Sequence, residues 1–285
     1  MACARCDDTG WRPVDDPSTG SAEQQVRRVV RCECWREHLG QERLADANVP
    51  KRYQHCTLDN FLAYNESLEK AVVQARRLAE AFPVEQVGLF LEGQPGVGKT
   101  HLAVAVLKQI VERTAARALF YDTRDLLRVI RSTYDPSIQT TELQVLRPVM
   151  TADLLVLDDL GAEKTSEWVE ETMNLIVNTR YSERRLTIFT SNFPDIPDDT
   201  DPNSLLFRIG DRMRSRLHEM CEFVVLDAAD YRMRPVNAGP NDLINMWKMR
   251  RKSATLPSPR GGRQARAQLR DNKADLKWPG GRAGS

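Results

Sequence analysis

The sequence contains the octapeptide Gly93-Gln94-Pro95-Gly96-Val97-Gly98-Lys99-Thr100. It satisfies every position of the pattern G-x-x-x-x-G-K-[ST], in which glycines let backbone N–H groups converge on phosphate oxygens. An apolar run precedes it and an amphipathic helical pattern follows it, which is the strand, loop and helix context that the pattern requires. The octapeptide therefore predicts an ATP site, with Lys99 at the β and γ phosphates and Thr100 at Mg²⁺.

The residues around the octapeptide alternate short apolar runs with amphipathic helical patterns. Strands are predicted at 87–92, 118–122, 154–158, 186–190 and 221–226. Helices are predicted at 100–111 and 168–181, where apolar side chains recur every three or four residues. This alternation is typical of an α/β fold with a parallel sheet.

Two acidic residues follow the apolar run Leu154-Leu155-Val156-Leu157. In ATPases with such a loop, the first acid at this place holds Mg²⁺ and the next polarises the attacking water. Asp158 is thus a predicted magnesium ligand together with Thr100, and Asp159 is the predicted catalytic base. The alternative is a strand that simply ends in a solvated pair of acids.

Two further groups of polar residues are candidates for catalysis. Asn192 follows the strand at 186–190, where an amide can orient water against the γ-phosphate, although Ser-Asn also starts ordinary turns. Arg212 and Arg216 are four residues apart and share a helical face. Either arginine can act on the γ-phosphate of a neighbouring subunit. The alternative is a basic helix surface paired with nearby acids.

Four of the six cysteines lie in the first 34 residues, as Cys3, Cys6, Cys32 and Cys34. Two close pairs of thiolates match a tetrahedral structural zinc site, and His38 is an alternative fourth ligand. Residues 1–45 hold few aliphatic side chains, so their order is expected to depend on the metal. Cys56 and Cys221 stand apart and are expected to be ordinary buried thiols.

The chain divides into three regions: 1–45, which binds zinc, 46–234, which forms the ATPase domain, and 235–285, a basic tail. The last 50 residues hold eleven Lys or Arg and three Asp, a net charge of +8. Their Gly, Pro and Arg content indicates disorder. No apolar run approaches the roughly 20 residues of a membrane span, and the first residues do not resemble a secretion leader. A cytoplasmic protein without membrane contact is expected.

These motifs together resemble the AAA+ replicative helicase loaders of the DnaC and DnaI type and their relatives, the IstB transposition helper ATPases. The resemblance rests on residues 93–100, 154–161, 190–192, 215–221 and 230–232. It implies a five-stranded parallel sheet in the order 5-1-4-3-2 and a trans-acting arginine at Arg216. It also places residues 49–61 near the adenine and implies that the zinc-binding region docks on the helicase.

The resemblance further places a DNA-contacting insertion at residues 123–149. Four arginines of this segment are candidates for phosphate contact, unless they belong to a solvated helix face: Arg124, Arg128, Arg131 and Arg147.

The expected function is ATP-dependent delivery of a hexameric replicative helicase to single-stranded DNA during replication initiation or restart, with self-association through ATP interfaces. One alternative is a transposition helper acting with a transposase on duplex DNA. Another is a P-loop kinase, although the Asp158-Asp159 pair and Asn192 suit water activation better than transfer to a small molecule. A phage relative with another client is also compatible with the sequence.

Overall fold

The structure is a computed structural model that describes residues 3–7, 9–14, 28–163, 166–235 and 239–255. We call residues 3–7, 9–14 and 28–46 the cysteine module. Strands β1 (Trp11–Val14) and β2 (Arg28–Arg31) form an antiparallel hairpin there, and α1 (Glu33–Asp46) follows.

The main domain alternates strands and helices after α1. Its strands are β3 (Gly88–Glu92), β4 (Ala118–Asp122), β5 (Leu154–Asp158), β6 (Leu186–Ser191) and β7 (Cys221–Val225). Its helices are α2 (Glu66–Ala81), α3 (Lys99–Thr114), α4 (Thr123–Ser132), α5 (Glu142–Thr151), α6 (Glu167–Ser182) and α7 (Leu205–Met220). Short 3₁₀ turns occur at Lys51–Tyr53 and Tyr231–Met233, and α8 (Pro240–Thr255) ends the described chain.

The five strands β3 to β7 form one sheet, and every neighbouring pair is parallel. The predicted α/β fold with a five-stranded parallel sheet is therefore confirmed. The strands lie side by side as β4-β5-β6-β3-β7. Numbered along the chain and read from the β7 edge, this order is 5-1-4-3-2. Because the strands are parallel, the carboxyl ends of β3, β5 and β6 meet at one end of the sheet.

The sheet is buried on both faces between two layers of helices. On β5, Leu154 and Val156 pack with α2 and α3, whereas Leu155 and Leu157 pack with α4 to α7. A strand buried on both faces reads as a continuous apolar run, which is why the pattern at 154–158 is so clear in the sequence.

Arg180 of α6 is buried in the second layer, with 1% of its surface exposed. Its guanidinium donates to the carbonyl oxygens of Val149 and Ala152 at 2.9 Å each and of Leu186 at 2.6 Å. Nε donates to the Thr187 hydroxyl at 2.9 Å. One side chain thus ties the end of α5 to α6 and to the start of β6.

Helix α1 ends at Asp46, within one residue of the expected boundary, and its Gly40 is buried beside the Val111 carbonyl of α3. One predicted region needs correction. The predicted disorder from residue 235 is wrong for residues 240–255, which form α8. Leu243 of α8 is fully buried and Arg250 donates to the Ala228 carbonyl at 2.6 Å. The remaining tail, 256–285, lies outside the described residues.

Helices α2 and α8 flank β7, the edge strand of the sheet, around a cavity of about 650 Å³. Trp247 and Arg251 of α8 line this cavity together with Ser67 of α2. Ser67 donates to the Val225 carbonyl at 2.7 Å. Within the described part of the chain, every helix is too short or too polar to cross a membrane.

Candidate functional site

The phosphate loop lies between β3 and α3, as predicted, and α3 begins at Lys99. Gly96 and Gly98 have φ angles of 80° and 105°, in the left-handed region that favours glycine. A Cβ at Gly96 would lie 1.7 Å from Asp230 Oδ1, and one at Gly98 would lie 2.7 Å from the Phe61 ring. Both glycines are therefore required by backbone conformation and by close neighbours.

Lys99 folds over its own loop and is 6% exposed. Its Nζ donates to the carbonyls of Gly93 and Gln94 at 2.7 and 2.9 Å and to Asn192 Oδ1 at 2.7 Å. Burial lowers the pKa of Lys99 to about 8, a shift that the carboxylates of Asp158 and Asp159 oppose. A phosphate would offer this ammonium stronger acceptors than the carbonyls and would favour its charged form.

Asp158 ends β5 in a buried position next to α3. Thr100 Oγ1 donates to Asp158 Oδ1 at 2.9 Å, and Thr190 Oγ1 donates to the same oxygen at 2.7 Å. Burial raises the pKa of Asp158, although these two hydroxyls oppose the shift. A carboxylate and a hydroxyl on adjacent elements form the oxygen donor set that suits Mg²⁺. The residues present thus fit the predicted metal.

Asp159 lies directly beyond the strand, with a left-handed φ of 59°. Its two carboxylate oxygens accept from different partners: Asn192 Nδ2 donates to Oδ1, and Arg124 Nη2 donates to Oδ2 at 2.7 Å. Asn192 therefore connects the predicted base to Lys99 through the two ends of one amide. The structure brings together Lys99, Thr100, Asp158, Asp159 and Asn192 in one hydrogen-bonded group.

Arg124 also belongs to this group, although the resemblance made it a candidate for DNA contact. Its position in the sequence indicates this contact. Arg124 stands two residues beyond β4, and Asp122 at the end of β4 pairs in register with Asp158 at the end of β5. Adjacent parallel strands end side by side, so a residue following β4 lies close to one following β5.

Two segments from outside the sheet flank the phosphate loop. His101 Nε2 lies 3.1 Å from the Thr57 carbonyl oxygen and 3.0 Å from Asn60 Oδ1, which holds residues 57–61 against α3. On the other side, the Tyr231 backbone N–H donates to the Gly96 carbonyl at 3.0 Å. Composition and periodicity do not predict that these two segments lie beside the phosphate loop.

The candidate trans-acting arginines lie on α7, which is interrupted at Gly210. Arg212 is exposed, and Arg216 is half-buried with Nη1 donating to the Arg212 carbonyl at 3.3 Å. Arg214 instead pairs with Asp195, with Nε 2.5 Å from Oδ1. Among the described contacts, neither Arg212 nor Arg216 joins the hydrogen-bonded group around Lys99.

The other candidate arginines of residues 123–149 lie on α4 and α5. Arg128 and Arg147 are exposed, and Arg128 pairs with Asp125 at 2.7 Å. The guanidinium of Arg131 lies over the Trp168 ring, 4.5 Å from its centroid. Two of these arginines thus have a carboxylate or an aromatic ring as partner, and all three lie on neighbouring helices.

The four amino-terminal cysteines come together as the sequence analysis expected. Their Sγ atoms lie within 4.8 Å of one another, with 3.8 Å between Cys3 and Cys32 and 3.3 Å between Cys6 and Cys34. Zn–S bonds of about 2.3 Å in a tetrahedron place sulfurs about 3.8 Å apart, so the cluster fits zinc. His38 is exposed on α1 and does not belong to the cluster.

A hydrogen bond from the Arg5 backbone, with a smaller one from Cys34, lowers the pKa of Cys3 to about 7. This shift favours the Cys3 thiolate, the form that binds metals, whereas burial raises the pKa of Cys6 and a hydrogen bond with Cys6 raises the pKa of Cys34.

The fold and the site together define a P-loop NTPase of the AAA+ class. The chain belongs to the IstB-like ATP binding protein family, whose match covers residues 16–236, more than half of the chain.

The relatives include replicative helicase loaders. The loader DnaC of Buchnera aphidicola subsp. Baizongia pistaciae is 27% identical over 174 residues, which are 61% of this chain and 68% of the relative. The loader DnaC of Escherichia coli strain K12 is 30% identical over 140 residues, 49% of this chain and 56% of the relative.

A crystal structure of the DnaC helicase loader aligns with a TM-score of 0.55 at 36% identity, covering 62% of this chain and 99% of that one. AMPPCP-bound DnaA from Aquifex aeolicus, at 20% identity and a TM-score of 0.51, shares the fold. The resemblance to DnaC-type AAA+ loaders is thus confirmed.

Proposed function

We propose that this chain is an ATP-dependent helicase loader, which binds single-stranded DNA and delivers a hexameric replicative helicase. The observation that carries the proposal is its similarity to the DnaC helicase loader structure, of which it covers 99% at 36% identity. The hydrogen-bonded group around Lys99 supports the ATP dependence, because it contains every side chain that binding and water activation require in one subunit.

In the proposed mechanism, Lys99 exchanges the carbonyls of Gly93 and Gln94 for phosphate oxygens, while backbone N–H groups of residues 93–98 bind the phosphates. Thr100 and Asp158 would hold Mg²⁺, which supplies charge neutralisation at the phosphates when bound. Asp159 would accept a proton from the attacking water, and Asn192 would orient that water. This requires Asp159 to give up its contact with Arg124.

Assembly would complete the site. Arg216, or Arg212 one turn before it, would reach the γ-phosphate bound by a neighbouring subunit and stabilise charge in the transition state. Arg212 is exposed, as a residue acting on another subunit must be, whereas Arg216 would first have to release the Arg212 carbonyl. Self-association would then depend on ATP.

The cysteine module would bind Zn²⁺ and dock on the helicase. Single-stranded DNA would contact α4 and α5 at Arg128, Arg131 and Arg147, where phosphate neutralisation supplies affinity. The protein would act in the cytoplasm.

The second candidate is a transposition helper, because the chain belongs to the IstB-like family and the sequence also resembles the IstB transposition helpers. The discriminating experiment adds the chain and ATP to a replicative helicase and a forked DNA whose single-stranded arms are coated with a binding protein, and measures unwinding of the duplex. We expect unwinding with the wild type and with Lys70→Ala, an exposed lysine of α2, and none with Lys99→Ala. Absence of helicase binding, together with ATP-dependent capture of a transposase, would favour the second candidate.

A further inference from the structure

Two tryptophans and an arginine form a stacked group on the surface of the cysteine module. The Arg31 guanidinium lies 4.7 Å from the ring centroid of Trp11 and 4.0 Å from that of Trp35. The tryptophans remain 46% and 41% exposed. We call these three residues the Trp-Arg row. Large aromatic side chains usually bury most of their surface, so an exposed pair indicates contact with another molecule.

The row is attached directly to the cysteine cluster. Arg31 precedes Cys32 and Trp35 follows Cys34 in the sequence, and Trp11 pairs in register with Arg31 across the β1–β2 hairpin. The Cys32 backbone N–H also donates to the Gly10 carbonyl at 2.9 Å. The hairpin and the cluster therefore fix the backbone of all three residues, which lowers the entropy cost of binding through them.

The charge around the row favours a polyanion. Arg12 and Arg31 lie on strands β1 and β2, whose sequences contain no acidic residue. The neighbouring Glu33 is paired with Arg5 at 2.7 Å. A flat aromatic ring beside a guanidinium is the combination that binds single strands, because bases stack on the ring and the cation neutralises phosphate.

We propose that the Trp-Arg row is a binding site for single-stranded DNA, separate from α4 and α5. A base stacks on the exposed ring of Trp35 or Trp11, and Arg31 contacts the adjoining phosphate. This site goes beyond the proposed loading function, because it requires neither ATP turnover nor a helicase. It would give the chain two DNA contacts, one on the module and one on the ATPase domain.

The test measures binding of the full chain to fluorescein-labelled dT20 by anisotropy at two salt concentrations. We expect Trp35→Ala and Arg31→Ala to weaken binding on the order of tenfold, the loss of one stacked base or its cation. Trp35→Phe, which keeps an aromatic face, should stay within about threefold of the wild type. Arg77→Ala, which removes one exposed charge from α2, is the matched control and should leave binding unchanged.

A double variant, Trp11→Ala with Trp35→Ala, tests the site further. Unchanged dT20 binding in this variant, with ATP turnover retained, overturns the proposed DNA site. If the variant has also lost helicase capture, the row is a protein contact instead. If the double variant does not fold, ultraviolet cross-linking of the wild type to a bromodeoxyuridine oligonucleotide replaces it. Adducts on residues 9–14 or 28–46 support the site, and adducts confined to the ATPase domain overturn it. Failure of helicase loading alone leaves this site unaffected.

Discussion

The ATPase domain and the cysteine module acquire their order from different sources. Every residue of β5 is buried, and the sheet contacts helices on both faces. In the module, Cys6 and Cys32 are buried while Trp11, Val29 and Trp35 are exposed. Burial of apolar surface stabilises the first region, whereas too little is buried to stabilise the second. Helix α1 packs on α3 through Gly40, but order in the rest of the module is expected to come from its four thiols, so each region should fail under a different treatment.

The largest expected effect is on the module. Structural zinc binds with an apparent free energy of about 10 kcal/mol or more at neutral pH, and that energy drives folding. Cys34→Ser should therefore lose most of a zinc content of about one per chain, while ATP binding survives. Metal analysis beside nucleotide titration measures both. Cys56→Ser, which alters a buried cysteine of the ATPase domain, is the control, and equal zinc in all three proteins would contradict the assignment.

A second test concerns completion of the ATP site by a neighbouring subunit. Arg216→Ala should bind ATP normally, because Lys99, Thr100 and Asp158 are intact, but should lose on the order of 10³ in turnover. Lys99→Ala should lose ATP binding itself. Each variant alone is then inactive.

Mixing the two variants tests whether Arg216 acts on a neighbouring subunit, because a mixed interface joins an intact nucleotide site to an intact arginine. Partial recovery of turnover is expected in a steady-state ATPase assay. If folded variants co-assemble without recovery, the trans role passes to Arg212.

A third test targets the packing of the ATPase domain. Arg180→Met leaves the carbonyls of Val149, Ala152 and Leu186 without their donor, which should cost at least about 3 kcal/mol of unfolding free energy. Urea denaturation followed by circular dichroism measures this loss. Arg184→Met, at an exposed position of the following turn, should change stability little. Zinc content should remain that of the wild type, and a parallel loss of zinc would show that the two regions are not independent.

The smallest effect follows from the pKa of Lys99, about 8 without nucleotide. ATP favours the charged ammonium, so binding should weaken as the pH rises through 8, by about tenfold between pH 7 and pH 9. Lys99→Arg removes this titration, because a guanidinium keeps its proton throughout that range. Calorimetric titration at the two pH values provides the measurement, and an equally steep decline in both proteins would assign it to another group.

The sequence predicted the sheet well because its strands are buried on both faces. Residues 118–122 and 154–158 match β4 and β5, and the phosphate loop lies where its pattern placed it. Hydrophobic periodicity did not predict the helix at residues 240–255. There α8 buries Leu243 within a strongly basic stretch, and the charges outweighed the apolar positions in the prediction of disorder.

The candidate site was predictable where residues follow strand ends and unpredictable where contacts depend on tertiary structure. The places of Asp158 and Asn192 could be predicted, because each stands at or just beyond the carboxyl end of a strand that the sequence shows clearly. Predicting the contact between Arg124 and Asp159 would have required the register of β4 and β5. Predicting the close approach of Asp230 to Gly96 would have required the path of the chain beyond β7. The Trp-Arg row joins residues from both strands of a hairpin and from α1, a grouping that spacing alone does not show.

The position of α8 beside β7 also bears on the solubility of shortened chains. An exposed edge strand presents unpaired backbone groups to other molecules, and natural proteins commonly cover such edges. A chain ended at residue 235, where the family match stops within one residue, would lack α8 and expose this side of the sheet. Such a fragment would retain its whole nucleotide site and yet aggregate through β7. We therefore expect α8 to limit self-association of the ATPase domain through β7.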